Sequence, residues 1–229
     1  MTKVSVFIAT SLDGFIARVD GSIDWLERAN AVVPEGEDCG YKAFMASVDV
    51  LVMGRNTFEQ VLTFGAWPYR DTPVIVLSHR LLSIPEAIAA TVTISQESPG
   101  ELVTHLSAQG IRHIYVDGGK TIQNFLAANL INELPITVIP VLLGTGRSLF
   151  GPLPHDMPLK LIQVKSYQFG FVQYQYRTFR TYDSGTCDPR FQTLNDAMLA
   201  TTFRCTSCLN WYRYHQMFII HQFHFVFAS

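Results

Sequence analysis

The feature that most restricts the fold of this chain is an alternation. Up to about residue 130, short runs rich in β-branched residues, Val4–Ala9, Val50–Met53, Val74–Ser78 and His113–Val116, are separated by stretches with helical spacing. Strands alternating with helices predict parallel pairing through crossover connections. Helices are expected over Glu37–Ser47, where Tyr41, Phe44, Met45 and Val48 recur on one face, and over Thr57–Leu62, Glu101–Gln109 and Thr121–Ala128. After Glu133 the pattern changes. "LPITVIPVLLG", "LKLIQVKSYQF" and "FVQYQYRTF" are strand-like with no helix between them, and Gly170 separates the last two. An antiparallel hairpin should therefore finish a mixed, mostly parallel α/β sheet.

Such a sheet binds ligands beyond the carboxyl ends of its strands. Four loops there carry chemistry. The first strand is followed by "ATSLDGFIA", the second by "MGRNTFE", the third by "LSHR" and the fourth by "DGGKT". Gly118-Gly119 before a helix that opens with Lys120 and Thr121 suits an anion, because residues without Cβ let N–H groups approach it and the first helical turn adds free donors and a positive dipole end. A plain strand-to-helix turn would also use glycine. Gly54-Arg55 before Asn56-Thr57 repeats the arrangement with a guanidinium beside it. Ser78, His79 and Arg80 add a hydroxyl, an imidazole and a second guanidinium. Two anion seats with a basic clamp suggest a dinucleotide carrying an additional phosphate. No G-x-G-x-x-G is present, so a Rossmann fold is not expected.

With 229 residues, 48% of them hydrophobic, the chain has material for one generous core. A formal charge of −2 provides no basic field, so a small-molecule substrate is expected, with neither nucleic acid nor membrane as partner. "VSVFIA" is too short for a signal peptide and no apolar run reaches the ~18 residues of a membrane span, so the expected location is the cytoplasm. Composition breaks near residue 182: from Tyr182 to Ser229 there is no Lys or Glu, and ten of the 28 aromatic residues occur in these 48 positions. Residues 1–181 are expected to form the main domain and 182–229 an atypical tail, either an accessory element, on the body or on a second subunit of a homodimer, or sequence not shaped for this fold. Cys205-x-x-Cys208 with His215, His221 and His224 is too loose a pattern for zinc, so no metal is expected. The chain has no H-x-E, which removes a zinc deaminase.

Taken together, "MGRNTFE", "VIVLSHR" and "VDGGKTIQNFL" resemble the three NADPH-binding segments of dihydrofolate reductase, in the same order. "ATSLDGFIA", "GSIDWL" and "IPVLLGTGRSLFG" look closer to the stand-alone bacterial branch grouped with the reductase domain of riboflavin biosynthesis. The resemblance covers about residues 1–180 and implies a dihydrofolate-reductase-like three-layer fold, with helices on both faces of the sheet. It also implies that NADPH is the cofactor. Ala9 would sit beside the nicotinamide, and Asp13, Gly14 and Ile16 would belong to a mobile loop closing over it. Gly54, Arg55 and Thr57 would hold the pyrophosphate and the adenosine phosphate. Ser78, His79 and Arg80 would line the adenosine end, while Gly118, Gly119, Lys120, Thr121 and Ile122 would clasp the pyrophosphate from the other side. Asp38, 16 residues before Gly54, stands where the family has its pterin-binding carboxylate and is the expected catalytic residue. Asp24 competes with it, and an acid favoured by a helix start is the plain alternative.

The expected activity is hydride transfer from NADPH to a pteridine-like or aminopyrimidine substrate. Two other readings stay open: reduction of the ribosylamino-pyrimidine phosphate of riboflavin synthesis, which needs a further phosphate site, and nucleotide binding without turnover.

Overall fold

The computed structural model describes residues 2–179, so the expected tail and its cysteines and histidines lie outside the described residues. The strands are β1 (Lys3–Ser5), β2 (Ile8–Ser11), β3 (Phe15–Ala17), β4 (Val50–Gly54), β5 (Val74–Leu77), β6 (Val92–Ser95), β7 (His113–Asp117), β8 (Glu133–Ile139), β9 (Arg147–Ser148), β10 (Leu159–Ser166) and β11 (Val172–Thr178). The α-helices are α1 (Asp24–Asn30), α2 (Tyr41–Met45), α3 (Arg55–Leu62), α4 (Pro99–Ala108) and α5 (Gly119–Ala127). Nine strands form one sheet in the order β10-β11-β8-β1-β7-β4-β5-β6, with β2 also on β8. Pairing is parallel from β8 through β6, and β11 runs antiparallel to both of its neighbours, β8 and β10, as the predicted hairpin requires. A separate two-stranded ribbon joins β3 to β9.

Side-chain alternation along the central strands divides the interior into layers. Val50, Val52, Ile114 and Val116 pack with Leu102 and Leu106 of α4 and with Ile122, Phe125 and Leu126 of α5. The intervening Leu51, Met53 and Tyr115 face the other way, against Phe58 and Val61 of α3 and Tyr41 and Phe44 of α2. The helices thus cover both faces of a mixed, mostly parallel sheet, as expected.

Several elements differ from the sequence expectation. The helix expected over Glu37–Ser47 contracts to Tyr41–Met45, because Cys39 and Gly40 both adopt positive φ and hold the chain out of helix before it. The strand β6 at the sheet edge and the helix α1 were not anticipated. The run Val4–Ala9 is divided after Ser5, and this division opens the site.

Candidate active site

The fold places a gap between two strands that begin side by side. Strand β1 has β7 on one side and β8 on the other, with Ser5 opposite both Tyr115 and Glu133. Beyond Ser5 the register on β8 continues through β2, from Ile8 on Ile136 to Ser11 on Ile139, whereas the ladder to β7 stops. The carboxyl ends of β2 and β7 are therefore no longer bridged by main-chain hydrogen bonds. A cleft of about 1140 Å³ includes Phe7, Ile8 and Ala9 from one bank and Asp117, Gly118 and Gly119 from the other.

Two strand–glycine–helix units meet at this cleft. Strand β4 passes through Gly54 into α3, and β7 passes through Gly118 into α5. The two strands are parallel neighbours, with Met53 opposite Asp117, so both helix N-termini arrive at the same level. Each glycine faces the threonine of the other unit. A Cβ on Gly54 would lie 2.8 Å from Thr121 Oγ1, and one on Gly118 would lie 2.2 Å from Thr57 Oγ1. Gly118 also has φ of +89°, a backbone state that disfavours side chains. A Cβ on Gly119 would come within 2.7 Å of Ile16 Cδ1. Neither helix has a side-chain cap or an acid in its first turn. Two uncapped N-termini thus point positive dipole ends and unshared N–H donors towards the same space, an arrangement that suits a diphosphate.

Cations and acids are distributed unevenly around the rim. Arg55, Arg80, Lys120 and Arg147 all line the cleft. Arg55 Nη1 donates to both carboxylate oxygens of Glu59 at 3.0 Å, one turn along α3. Ser78 Oγ donates to Arg80 O at 2.9 Å and accepts from Arg80 N at 3.1 Å, which fixes the tight turn after β5. On the far side of that turn Glu97 and Glu101 line the cleft, and Glu101 forms a capping box with Ser98 that closes the start of α4. Arg147 Nε donates to Val19 O at 3.3 Å.

The acid at the floor of the cleft is Asp117. Its carboxylate accepts the Gly118 N–H at 2.7 Å, and desolvation nevertheless pushes its pKa up to about 6. Phenols surround it. Tyr41 is pushed up to about 12, first by its own burial and then by the Asp117 charge, and Tyr69 and Tyr115 are raised for the same reasons. Tyr115 is fixed by a 2.9 Å hydrogen bond to Phe7 O, across the gap between the strands. Asp117 is therefore a half-buried carboxyl that changes protonation near neutral pH and faces a ligand-sized space.

The structure brings most of the expected residues into this one cleft: Ala9, Ile16, Gly54, Arg55, Thr57, Ser78, His79, Arg80, Gly118, Gly119, Lys120 and Thr121 all line it. Four do not line it. Ile122 points into the core with no exposure, because the first turn of α5 turns that face onto the sheet. Asp13 instead ties two loops together, accepting from Ser11 Oγ at 2.6 Å and from the N–H groups of Leu143 and Gly144 at 3.1 and 2.7 Å. Gly14, with φ of +83°, makes the adjoining turn. Asp38 is exposed; its two carboxylate oxygens accept the N–H groups of Gly40 and Lys42 at 2.8 Å, and these bonds hold its pKa below the usual carboxylate range. It serves the start of α2, and counting along the chain from Gly54 could not show this. The competing Asp24 is bound by Arg18 and Arg28. Asp117, Tyr69, Glu97 and Arg147 also line the cleft, and sequence reasoning assigned them no role. For Asp117 the signal was present as the acid directly before the paired glycines.

Among the described residues no helix is long and apolar enough to cross a membrane, and no group of three or more side chains is arranged to hold a metal ion.

Comparison with known proteins bears on the family and the fold. Two Bacillus subtilis proteins without assigned function are similar along nearly their whole length: YwjB is 38% identical over 178 residues, covering 76% of this chain and 97% of its own, and YyaP is 24% identical, covering 94% of its own. A solved structure from Shewanella sp. PV-4, assigned to riboflavin biosynthesis by name, is 40% identical with a TM-score of 0.73 and covers 78% of this chain and all of its own. The Thermotoga maritima diaminohydroxyphosphoribosylaminopyrimidine deaminase/5-amino-6-(5-phosphoribosylamino)uracil reductase shares the fold at 14% identity, with a TM-score of 0.59 over 57% of its length. The sequence profile of the RibD C-terminal domain matches residues 2–172, three quarters of the chain, and the protein belongs to that family.

Proposed function

We propose that the chain is an NADPH-dependent reductase acting on a pteridine-like or aminopyrimidine substrate. The observation that carries this reading is the pairing of the α3 and α5 N-termini through Gly54–Thr121 and Gly118–Thr57 beside a half-buried acid. Membership of the RibD C-terminal family and the reductase named in the Thermotoga relative support it.

In this reading the N–H groups of α3 and α5, with Lys120, hold the diphosphate, and Arg55 and Arg80 take the adenosine phosphate. NADPH supplies the hydride when bound. Asp117 does the rest of the chemistry on the protein side. Ionised, it accepts hydrogen bonds from the N–C–NH₂ edge of a heterocycle; protonated, it delivers a proton to the nitrogen or oxygen of the double bond whose carbon is reduced. The desolvation of Asp117 in the cleft removes water from that edge and strengthens the contact.

A second reading has one observation in its favour. Arg147 lines the cleft and none of the described acids pairs with it, which supplies a cation for a substrate phosphate such as that of a phosphoribosylamino-pyrimidine.

Fluorescence titration with NADPH, followed by loss of nicotinamide absorbance when dihydrofolate or an aminopyrimidine is added, tests the assignment. Failure to bind reduced pyridine nucleotides would remove it, whereas turnover confined to phosphorylated pyrimidines, reduced by Arg147→Ala, would select the second reading.

A further inference from the structure

Asp117 has a polar companion in the cleft. Of the three phenols around it, Tyr41, Tyr69 and Tyr115, only Tyr69 lines that space. Tyr69 lies in the loop between α3 and β5, and its place is fixed locally. Its carbonyl accepts the Thr72 N–H at 3.0 Å, closing a turn in which Arg70 takes φ of +49°, and its ring stands edge-on to Trp67 with centroids 5.1 Å apart. Tyr69 is 7% exposed, and a phenol buried this deeply normally has a hydrogen-bond partner. Tyr115 has one in Phe7 O, whereas among the described residues the Tyr69 hydroxyl has none. Nor is its oxygen sealed from solvent: the buried side-chain polar atoms without a partner among the described residues are Trp25 Nε1, Trp67 Nε1 and Tyr167 Oη. The Tyr69 hydroxyl therefore opens onto the cleft, within electrostatic reach of Asp117 but not hydrogen-bonded to it.

We propose that Tyr69 is a specificity-determining residue, whose hydroxyl donates to the ring carbonyl of a 2-amino-4-oxo heterocycle held through its N–H and amino groups by Asp117. This inference rests on the reductase reading above and narrows its substrate class. The two side chains are chemically matched for such an edge. An ionised carboxylate only accepts, while the phenol carries a proton with no other acceptor, so together they suit two donors followed by an acceptor. Because they do not bond to each other, a ligand can bridge them without breaking an existing contact. A heterocycle with an amino group in place of the carbonyl sets donor against donor at Tyr69, and one with neither leaves the hydroxyl unpaired.

Isocytosine, which carries the amino, N–H and carbonyl groups along one edge, is the probe, and 2-aminopyrimidine, which lacks the carbonyl, is its match. Both are titrated by calorimetry into the full-length chain and into Tyr69→Phe, a change that deletes one oxygen and keeps the ring against Trp67. Isocytosine should bind the parent at millimolar concentration, as suits so small a ligand, and about fivefold more weakly in Tyr69→Phe. 2-Aminopyrimidine should not distinguish the two proteins, and NADPH, followed by fluorescence, should bind both alike. Failure of the parent to bind NADPH would remove the reductase reading and the proposal with it. With NADPH bound, equal isocytosine affinity in the two proteins, an equal loss for both pyrimidines, or no saturable isocytosine binding would overturn the assignment of Tyr69 alone.

Discussion

Gly118 and Thr57 approach so closely that a single methyl group on the glycine would overlap the threonine hydroxyl, at 2.2 Å. Two segments 61 positions apart are therefore matched through the lack of one side chain. The same exchange occurs between Gly54 and Thr121 at 2.8 Å, so the two strand–glycine–helix units fit each other as a reciprocal pair.

Gly118→Ala should lower stability by about 2 kcal/mol or more, combining backbone strain at φ +89° with the Thr57 overlap. Gly14→Ala is the control, because its φ of +83° carries strain but nothing lies within 4 Å of the added carbon. Denaturant unfolding should rank Gly118→Ala below Gly14→Ala. The double variant Gly118→Ala/Thr57→Ala should recover part of the loss, and a simple sum of the two single effects would show that the residues are not coupled.

Arg55 governs the next expectation. Arg55→Ala should weaken NADPH about tenfold and NADH little, since the guanidinium is assigned to the adenosine phosphate. Glu59 already occupies Arg55 Nη1, and both side chains are partly exposed, so the pair itself contributes little to stability. Glu59→Gln should accordingly leave the melting temperature unchanged while tightening NADPH relative to NADH. Equal changes for both nucleotides, read by fluorescence titration, would show that Arg55 does not meet the distinguishing phosphate.

Asp117 links pH to both activity and stability. Its folded pKa of about 6 lies above the unfolded value of 3.8, so the native state holds the extra proton in this window and stability falls as pH rises through it. Replacing the acid with a neutral isostere removes that penalty. Asp117→Asn should be more stable than the parent at pH 7.5, by up to about 3 kcal/mol, and equal to it near pH 3.5. Its turnover should nevertheless drop about a hundredfold or more, with loss of the pH dependence centred near 6. A variant that is no more stable at pH 7.5 would place the carboxyl in better solvation than the structure gives it.

Asp13 should behave as a tie between loops. Asp13→Ala removes the acceptor for Leu143 and Gly144, and amide exchange should accelerate at these two positions but not at Ile114 in the core. Its hydrogen bonds, led by Ser11, lower the folded pKa. The tie is therefore complete above the normal aspartate range and is lost as pH falls through the depressed value. Exchange rates at Leu143 that are indifferent to the substitution would contradict this role.

The sequence was most readable where local chemistry and global fold agree. Val50–Met53 followed by Gly54, and His113–Val116 followed by Asp117-Gly118-Gly119, each contain a buried strand, a turn and a helix start in a dozen residues, so both helix starts at the cleft could be located. Asp38 shows the opposite case. Its number in the chain was informative only if the intervening loop kept its length, and Cys39 and Gly40 with positive φ direct its carboxylate to the backbone. The position of Asp117 at the cleft depends on the β1–β7 ladder stopping after Ser5 while β2 continues along β8, a matter of register rather than of any residue type. Helix α1 was hidden because its seven residues have no side-chain cap, and it is held by Arg18 from outside the helix.

The first strand has consequences for how the chain is made. All its ladder partners come late: Lys3 pairs with His113, Ser5 with Glu133, and Val4 N–H donates to Asn132 Oδ1 at 2.8 Å. By contrast β4, β5 and β6 are neighbours in sequence and in the sheet. During ribosomal synthesis the amino terminus must wait, unpaired, for more than a hundred further residues to emerge, while the β4–β6 edge can already assemble. The cleft therefore comes into being last, when β1 docks between β7 and β8.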